Sequence, residues 1–289
     1  MDDVARLSIA DVSHTYPDGT EALGGVTFRI AKREFAGILG YNGSGKTTLL
    51  KVMDGLIRDF RGSVMLDGKE IRGLTSREIY RKMGLVFQNP DDQLFASTVF
   101  EDVAFGPINM GFKDKEVTRR VKKALREVEM EKFAKKAIHH LSFGEKKRIC
   151  IAGLLSMGHE ILLLDEPTAG LDPVGEYHLM DLLTRLNREN GITIVMATHS
   201  IDLVPLFLDS LYILSGGKIV RSGTPEEVFK TPDEMGEVRL RLPRIAELIY
   251  RLKHEDGLPF DRIPLTIGEA KREILQVFER TVHPSTGSG

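Results

Sequence analysis

The sequence predicts an α/β fold built around a phosphate-binding loop, and three observations carry that prediction. The stretch Gly40-Tyr41-Asn42-Gly43-Ser44-Gly45-Lys46-Thr47-Thr48 fits the pattern G-x-x-x-x-G-K-[ST], between an apolar strand-like run at 35–39 and the start of a helical run. Ile161-Leu162-Leu163-Leu164 and residues 192–198 are unbroken apolar runs, as in strands covered on both faces, and a helical segment separates them. Residues 7–16 alternate as a half-buried strand does, ahead of a Pro17-Asp18-Gly19 turn and a second strand at 25–30.

Composition narrows the class. A chain of 289 residues, 42% hydrophobic and 28% charged, has ample material for a core and reads as a globular protein of one large or two modest domains. Its formal net charge of -2 implies no general attraction to nucleic acid. Cys150 is the only cysteine, which excludes an intrachain disulfide framework or a cysteine-cluster metal site. Residues 1–6 lack the apolar core of a signal peptide, and no run approaches the length of a membrane span.

The phosphate loop explains its own spelling. Gly40, Gly43 and Gly45 let the backbone turn sharply and bring N–H groups close to a polyphosphate, and the loop feeds a helix N-terminus that favours negative charge. Lys46 then reaches the β and γ phosphates, and the Thr47 hydroxyl sits on Mg²⁺. Upstream, Tyr16 ends the first strand, as an aromatic platform for a base or as a residue packed on the sheet. Downstream, residues 61–69 read as a strand ending in an Asp67-Gly68 turn, and 83–87 as a short buried strand. Gln88 stands where that strand becomes a loop, a position that can present a side chain to a ligand or simply be solvated.

Residues 114–136 follow a helical pattern with Val117, Val121, Ala124, Leu125 and Val128 on one stripe; the basic residues 119, 120, 122 and 123 read as a solvated face balanced by nearby Glu. Ser142 caps a helix over 146–157, a second possible anion site that is weak on its own. The run at 161–164 ends in Asp165 and Glu166. An Asp at the end of a strand beside a phosphate loop can hold Mg²⁺, which leaves Glu166 to orient or deprotonate a water at the γ-phosphate. A turn at 167–173, a helix to about 190 and the strand at 192–198 lead to His199, which the sheet can aim at the same phosphate. A hairpin turns at Ser215-Gly216-Gly217, and Thr224-Pro225-Glu226-Glu227 opens a helix. Short helices interrupted by prolines are predicted over 232–281, with a second capping box at Thr266–Glu269, and residues 284–289 are expected to be a disordered tail.

In this order the segments resemble the ATP-binding subunit of ABC transporters, from residue 4 to about 229. The resemblance implies a RecA-like core with an antiparallel β subdomain over 1–230, and a helical subdomain at about 89–160. By the same likeness Tyr16 stacks on adenine, and Gly40, Asn42, Gly43, Ser44, Gly45, Lys46, Thr47 and Thr48 bind the ATP phosphates. Gln88 contacts Mg²⁺ and the transmembrane partner, Ser142, Gly144 and Glu145 belong to the signature motif, and Asp165 with Thr47 holds the metal. Glu166, His199, Lys46 and Gln88 form the catalytic set. Phe143 stands where the signature usually has glycine, and Glu145 where glutamine is more usual.

A narrower likeness rests on residues 16–23, on Phe87-Gln88-Asn89-Pro90-Asp91-Asp92-Gln93-Leu94-Phe95 and on Leu141-Ser142-Phe143-Gly144-Glu145-Lys146-Lys147-Arg148. These look like the energy-coupling-factor class, as in its cobalt or nickel import ATPases. That class implies a C-terminal helical segment, here 231–283, which joins two ATPase chains. It also implies a transmembrane coupling subunit, a substrate-binding membrane subunit for a metal ion or vitamin, and a peripheral place on the cytoplasmic face. The competing readings are an ABC ATPase for cofactor assembly with no transporter and an inactive nucleotide-sensing subunit; the intact set Lys46, Asp165, Glu166 and His199 argues against the second.

Overall fold

The computed structural model describes residues 5–230, 236 and 240–282. The chain opens with β1 (Leu7–Thr15) and β2 (Glu21–Ile30), an antiparallel pair, and β3 (Phe35–Leu39) runs into the phosphate loop and α1 (Lys46–Met53). β4 (Arg61–Leu66) and the short β5 (Lys69–Glu70) rejoin the first pair, giving a four-stranded sheet in the order β2-β1-β4-β5. β2 starts earlier than the sequence pattern predicts, because Glu21 pairs with Thr15 across the tight turn.

After α2 (Ser76–Tyr80) comes β6 (Met83–Val86), then a helical region made of α3 (Val99–Asn109), α4 (Asp114–Glu127) and α5 (Phe143–Met157). α4 stops at Glu127, short of the predicted 136. Glu129 adopts a left-handed φ of 62° and is held by Arg148 and Arg185, so the chain turns back there. The Val128 side chain still reaches the core.

β7 (Ile161–Asp165), α6 (Pro173–Arg188) and β8 (Thr193–Thr198) follow, then α7 (Val204–Phe207), the hairpin β9 (Ser210–Ser215) and β10 (Lys218–Gly223), and α8 (Pro225–Val228). The second sheet has the order β10-β9-β3-β8-β7-β6, parallel except at β10. Its strands are buried on both faces: Leu162, Leu164, Ile194 and Met196 join the core under the helical region, while Leu163, Val195 and Ala197 join the core under α1 and the antiparallel sheet. This is the physical source of the unbroken apolar runs. α9 (Arg244–His254) and α10 (Ile267–Val282) form a small unit with its own core of Ile249, Phe260, Ala270 and Val277. The tail expected at 284–289 lies outside the described residues.

One buried acid carries a stability prediction. Asp54 caps the C-terminal end of α1, where the helix dipole is unfavourable to an anion, and its Oδ1 has no hydrogen-bond partner. Burial raises its pKa from 3.8 to about 8. A carboxyl raised in the fold costs nothing below its unfolded pKa, and the cost accumulates as pH rises toward the folded value. Replacing Asp54 with Asn should therefore raise Tm at pH 8 by roughly 2–6 °C, with a smaller gain at pH 5. Thermal melts of both chains across that range check the sign; a gap that shrinks with rising pH would contradict it.

Candidate active site

Four neighbouring parallel strands deliver the site from their carboxyl ends. β3 supplies the phosphate loop, β8 leads to His199, β7 ends at Asp165 before Glu166, and β6 leads through Phe87 to Gln88. The registers Leu39↔Thr198, Asp165↔Ala197 and Val86↔Leu164 place these ends level with one another. Such a crevice at strand carboxyl ends is where open α/β sheets bind ligands.

The phosphate loop has no room for side chains at two of its glycines. A Cβ on Gly40 would lie 2.4 Å from the Leu214 carbonyl oxygen, and one on Gly45, at φ 105°, would lie 2.4 Å from the Ala22 carbonyl oxygen. Gly45 is also the N-cap of α1, so the helix's free N–H groups open directly into the cleft. The buried Lys46 ammonium donates to the carbonyls of Gly40 (2.8 Å) and Tyr41 (3.2 Å) and sits 3.4 Å from Glu166 Oε1.

The cleft measures about 440 Å³ and brings together Tyr16, Asn42, Gly43, Gly45, Lys46, Thr47, Thr48, Gln88 and Glu166. Tyr16 lies at its edge, its hydroxyl 2.9 Å from Thr48 Oγ1 and its ring in edge contact with His14. Both sequence readings of Tyr16 thus have a counterpart: it borders the cleft and it packs on the sheet. Ser44 is buried at the turn of the loop, its Oγ without a hydrogen-bond partner.

Glu166 is held from several sides. Its φ of 45° is strained for a residue with a side chain, and its N–H donates to the Ala197 carbonyl (2.9 Å). Its Oε2 faces His199 Nδ1 at 2.9 Å and accepts from the His199 backbone N–H at 3.3 Å. One carboxylate therefore stands between the loop lysine and the histidine. This arrangement can orient a water and receive its proton.

Beside it, Thr47 Oγ1 donates to Asp165 Oδ2 at 2.7 Å. Asp165 Oδ1 is buried with no hydrogen-bond partner, and burial raises the carboxyl's pKa against the lowering effect of Thr47. An oxygen-only niche with an unsatisfied carboxylate fits a hard divalent cation such as Mg²⁺, which binds through one or two protein oxygens and substrate phosphates. Among the described residues no group of three or more His, Cys, Asp or Glu could hold a metal without such help.

The signature residues lie elsewhere. Ser142, Gly144 and Glu145 do not line the cleft. They form the start of α5, where the Ser142 hydroxyl accepts from Glu145 N–H and Glu145 Oε2 accepts from Ser142 N–H at 2.7 Å. This end of α5 is open to solvent at Ser142 and presents unused helix N–H groups.

Sequence reasoning missed Lys147. It is fully buried, and its ammonium donates to the carbonyls of Gln88 (2.5 Å) and Glu166 (3.1 Å). Burial lowers its pKa to about 8, while Cys150, Asp165 and Glu166 pull the other way. The available signal was a lysine three and four residues before Cys150 and Ile151, on the apolar stripe of a helix.

The chain is similar to known proteins over most of its length. The family model described as ABC transporter matches residues 23–169. A Geobacter sulfurreducens relative named for ABC transporter ATP binding is 68% identical over 96% of this chain and 99% of that protein. The energy-coupling factor transporter ATP-binding protein EcfA of Methanococcus maripaludis is 48% identical over 94% of this chain and 98% of its own length. Among solved structures, cbiO1 of Clostridium perfringens, described as part of the ABC transporter complex cbiONQ, superposes with a TM-score of 0.75. It is 42% identical and covers 85% of this chain and 99% of its own.

Proposed function

This chain belongs to the ABC transporter ATP-binding family, in its energy-coupling-factor class, and from that premise we propose that two copies, or this chain and a paralogue, close around two ATP molecules to drive uptake through a membrane complex. The observation that carries the hydrolytic part is Glu166, fixed between Lys46 and His199 at the floor of the phosphate-loop cleft. In this reading Glu166 orients the attacking water and takes its proton, and Lys46 exchanges its loop carbonyls for β and γ phosphate oxygens. His199 holds the Glu166 carboxylate in place. Tyr16 borders the adenine, and Gly40, Asn42, Gly43, Ser44, Gly45 and Thr48 shape the polyphosphate cradle. Thr47, Asp165 and Gln88 would hold Mg²⁺, which when bound neutralises charge on the transferred phosphoryl group.

Pairing is supported by where the signature residues lie. Ser142, Gly144 and Glu145 sit on an open helix start outside the chain's own cleft, as they must if they complete the cleft of another chain. α10 adds a second contact: Ile267, Ile274, Leu275 and Phe278 are exposed apolar residues on one small helical unit. The segment after Gln88 offers the membrane side. Phe95 and Phe105 stack edge to face at 4.6 Å, both exposed, next to an apolar groove of about 620 Å³ lined by Tyr80, Met110 and Met157. A helix of a transmembrane subunit suits that groove. No helix among the described residues is itself long and apolar enough to cross a membrane, so the membrane place of this chain is peripheral in this reading. The cargo is assigned by class, a metal ion such as cobalt or nickel or a vitamin, because it contacts the membrane subunits.

The test is to capture tagged Glu166→Gln protein, with Mg·ATP, from detergent-solubilised native membranes and identify what accompanies it. A stoichiometric polytopic membrane protein with a small substrate-binding membrane subunit is the expected result. A pair of ATPase chains absent from the membrane fraction would overturn the transport reading in favour of cofactor assembly.

A further inference from the structure

Lys147 alone among the described charged side chains has no exposure at all, and its two hydrogen-bond partners are backbone carbonyls, not carboxylates. Burying an ammonium with neutral partners is expensive, and the neighbouring positions Ile149, Cys150 and Ile151 show that this helix is otherwise packed with apolar groups. The place of the two carbonyls accounts for the charge. Gln88 follows β6, Glu166 follows β7, and Lys147 joins them to the first turns of α5.

The same ammonium lies 5.3 Å from the centre of the Phe143 ring, within reach of a cation–π contact. Phe143 in turn covers Gly170, where a Cβ would come within 2.9 Å of the ring. Phe143 belongs to the signature run, and Gly170 to the turn that follows Glu166. An unbroken set of contacts therefore runs from the start of α5, through Phe143 and Lys147, to the backbone of both Gln88 and Glu166.

We propose that Lys147 is a positioning residue that makes the signature end of α5, Gln88 and Glu166 of one chain move as a unit. It rests on the reading above, in which that end of α5 serves the nucleotide of the other chain. Engagement of Ser142, Gly144 and Glu145 by that nucleotide then sets where Glu166 and Gln88 stand toward the chain's own. Coupling of this kind needs a contiguous physical link, and the shared ammonium is one. The phenylalanine in the signature run gains a purpose, as the outer end of the link.

The experiment compares Lys147→Met and Lys147→Gln with the parent, each as full-length protein in its native complex, by steady-state ATP hydrolysis. Lys147 does not line the cleft, so the KM for ATP should stay within about threefold. The kcat of Lys147→Met should fall at least tenfold, and Lys147→Gln, whose amide can still donate to carbonyls, should recover part of that loss. Methionine is close to lysine in length and suits a buried site; thermal melts verify folding. Should Lys147→Met not fold, Phe143→Ala, at a partly exposed position, replaces it: a fall in kcat at constant KM supports the link, and parental kinetics overturn it. A parental kcat in folded Lys147→Met, from an active parent, overturns the positioning role and leaves the ATPase reading standing. A parent complex that hydrolyses no ATP overturns both.

Discussion

Glu166→Gln should lower kcat for ATP hydrolysis by about 10²–10⁴-fold, the usual worth of a positioned general base, while ATP binding survives. The substitution keeps the side chain's shape and leaves an amide oxygen to accept from the His199 N–H, so the strained turn at φ 45° need not rearrange. It removes the one carboxylate that faces both Lys46 and His199. It also removes the 3.4 Å ion pair that competes with phosphate for Lys46, so affinity for ATP should hold or tighten. Phosphate-release kinetics and equilibrium ATP binding, measured on the same preparation, separate the two effects. Turnover at the parental rate would remove Glu166 from its role, and lost binding would recast it as a structural partner of the loop.

Much of this site was legible because its chemistry is local in sequence. The phosphate loop, the acids after 161–164 and His199 each lie at the end of a strand whose apolar run is unmistakable, and parallel strands bring such ends to one edge. The ion pair and the hydrogen bond that give these residues their geometry are not local. Lys46 meets Glu166, and Thr47 meets Asp165, across more than a hundred residues, so their spacing carries no trace of the contact. Lys147 escaped for a related reason. A lysine beside Lys146 and Arg148 reads as part of a basic helix face unless its spacing to Cys150 and Ile151 is weighed, and the packed fold shows it pointing inward to two carbonyls.

The helical region was the least legible part of the fold. α3 carries its own signal in Thr98–Glu101, a complete capping box, but Pro107 within the helix and an apolar composition on several sides blur the period. The end of α4 depends on Glu129 being drawn out by two arginines distant in sequence, which no window over 114–136 contains. In the C-terminal unit the two helices α9 and α10 appear where prolines and a Thr266 cap place them, with Glu269 N–H donating to Thr266 Oγ1.

The sharpest consequence of the separated half-sites is complementation between two inactive chains. Lys46→Ala removes the cation of the phosphate loop and leaves the signature run untouched. Gly144→Asp does the reverse: an acid in the first turn suits α5 and its Cβ would press only on the Leu171 side chain, 3.3 Å away, so folding should be kept, and in the proposed pairing it sets a carboxylate where another chain's γ-phosphate approaches. Each variant alone has two defective composite sites per pair and should be inactive. In a mixed pair the two defects fall in one site and the other site is whole. Random pairing at equal concentrations makes about half the dimers mixed, each with one of two sites intact, so activity should return to about a quarter of the parent if the sites act independently. A nucleotide site complete within one chain, or a pair that forms only with a paralogue, predicts no recovery at any ratio. Mixing the purified chains at varied ratios and following phosphate release decides the matter, because only sites shared between two copies of this chain give activity that peaks at equal proportions and vanishes at either end.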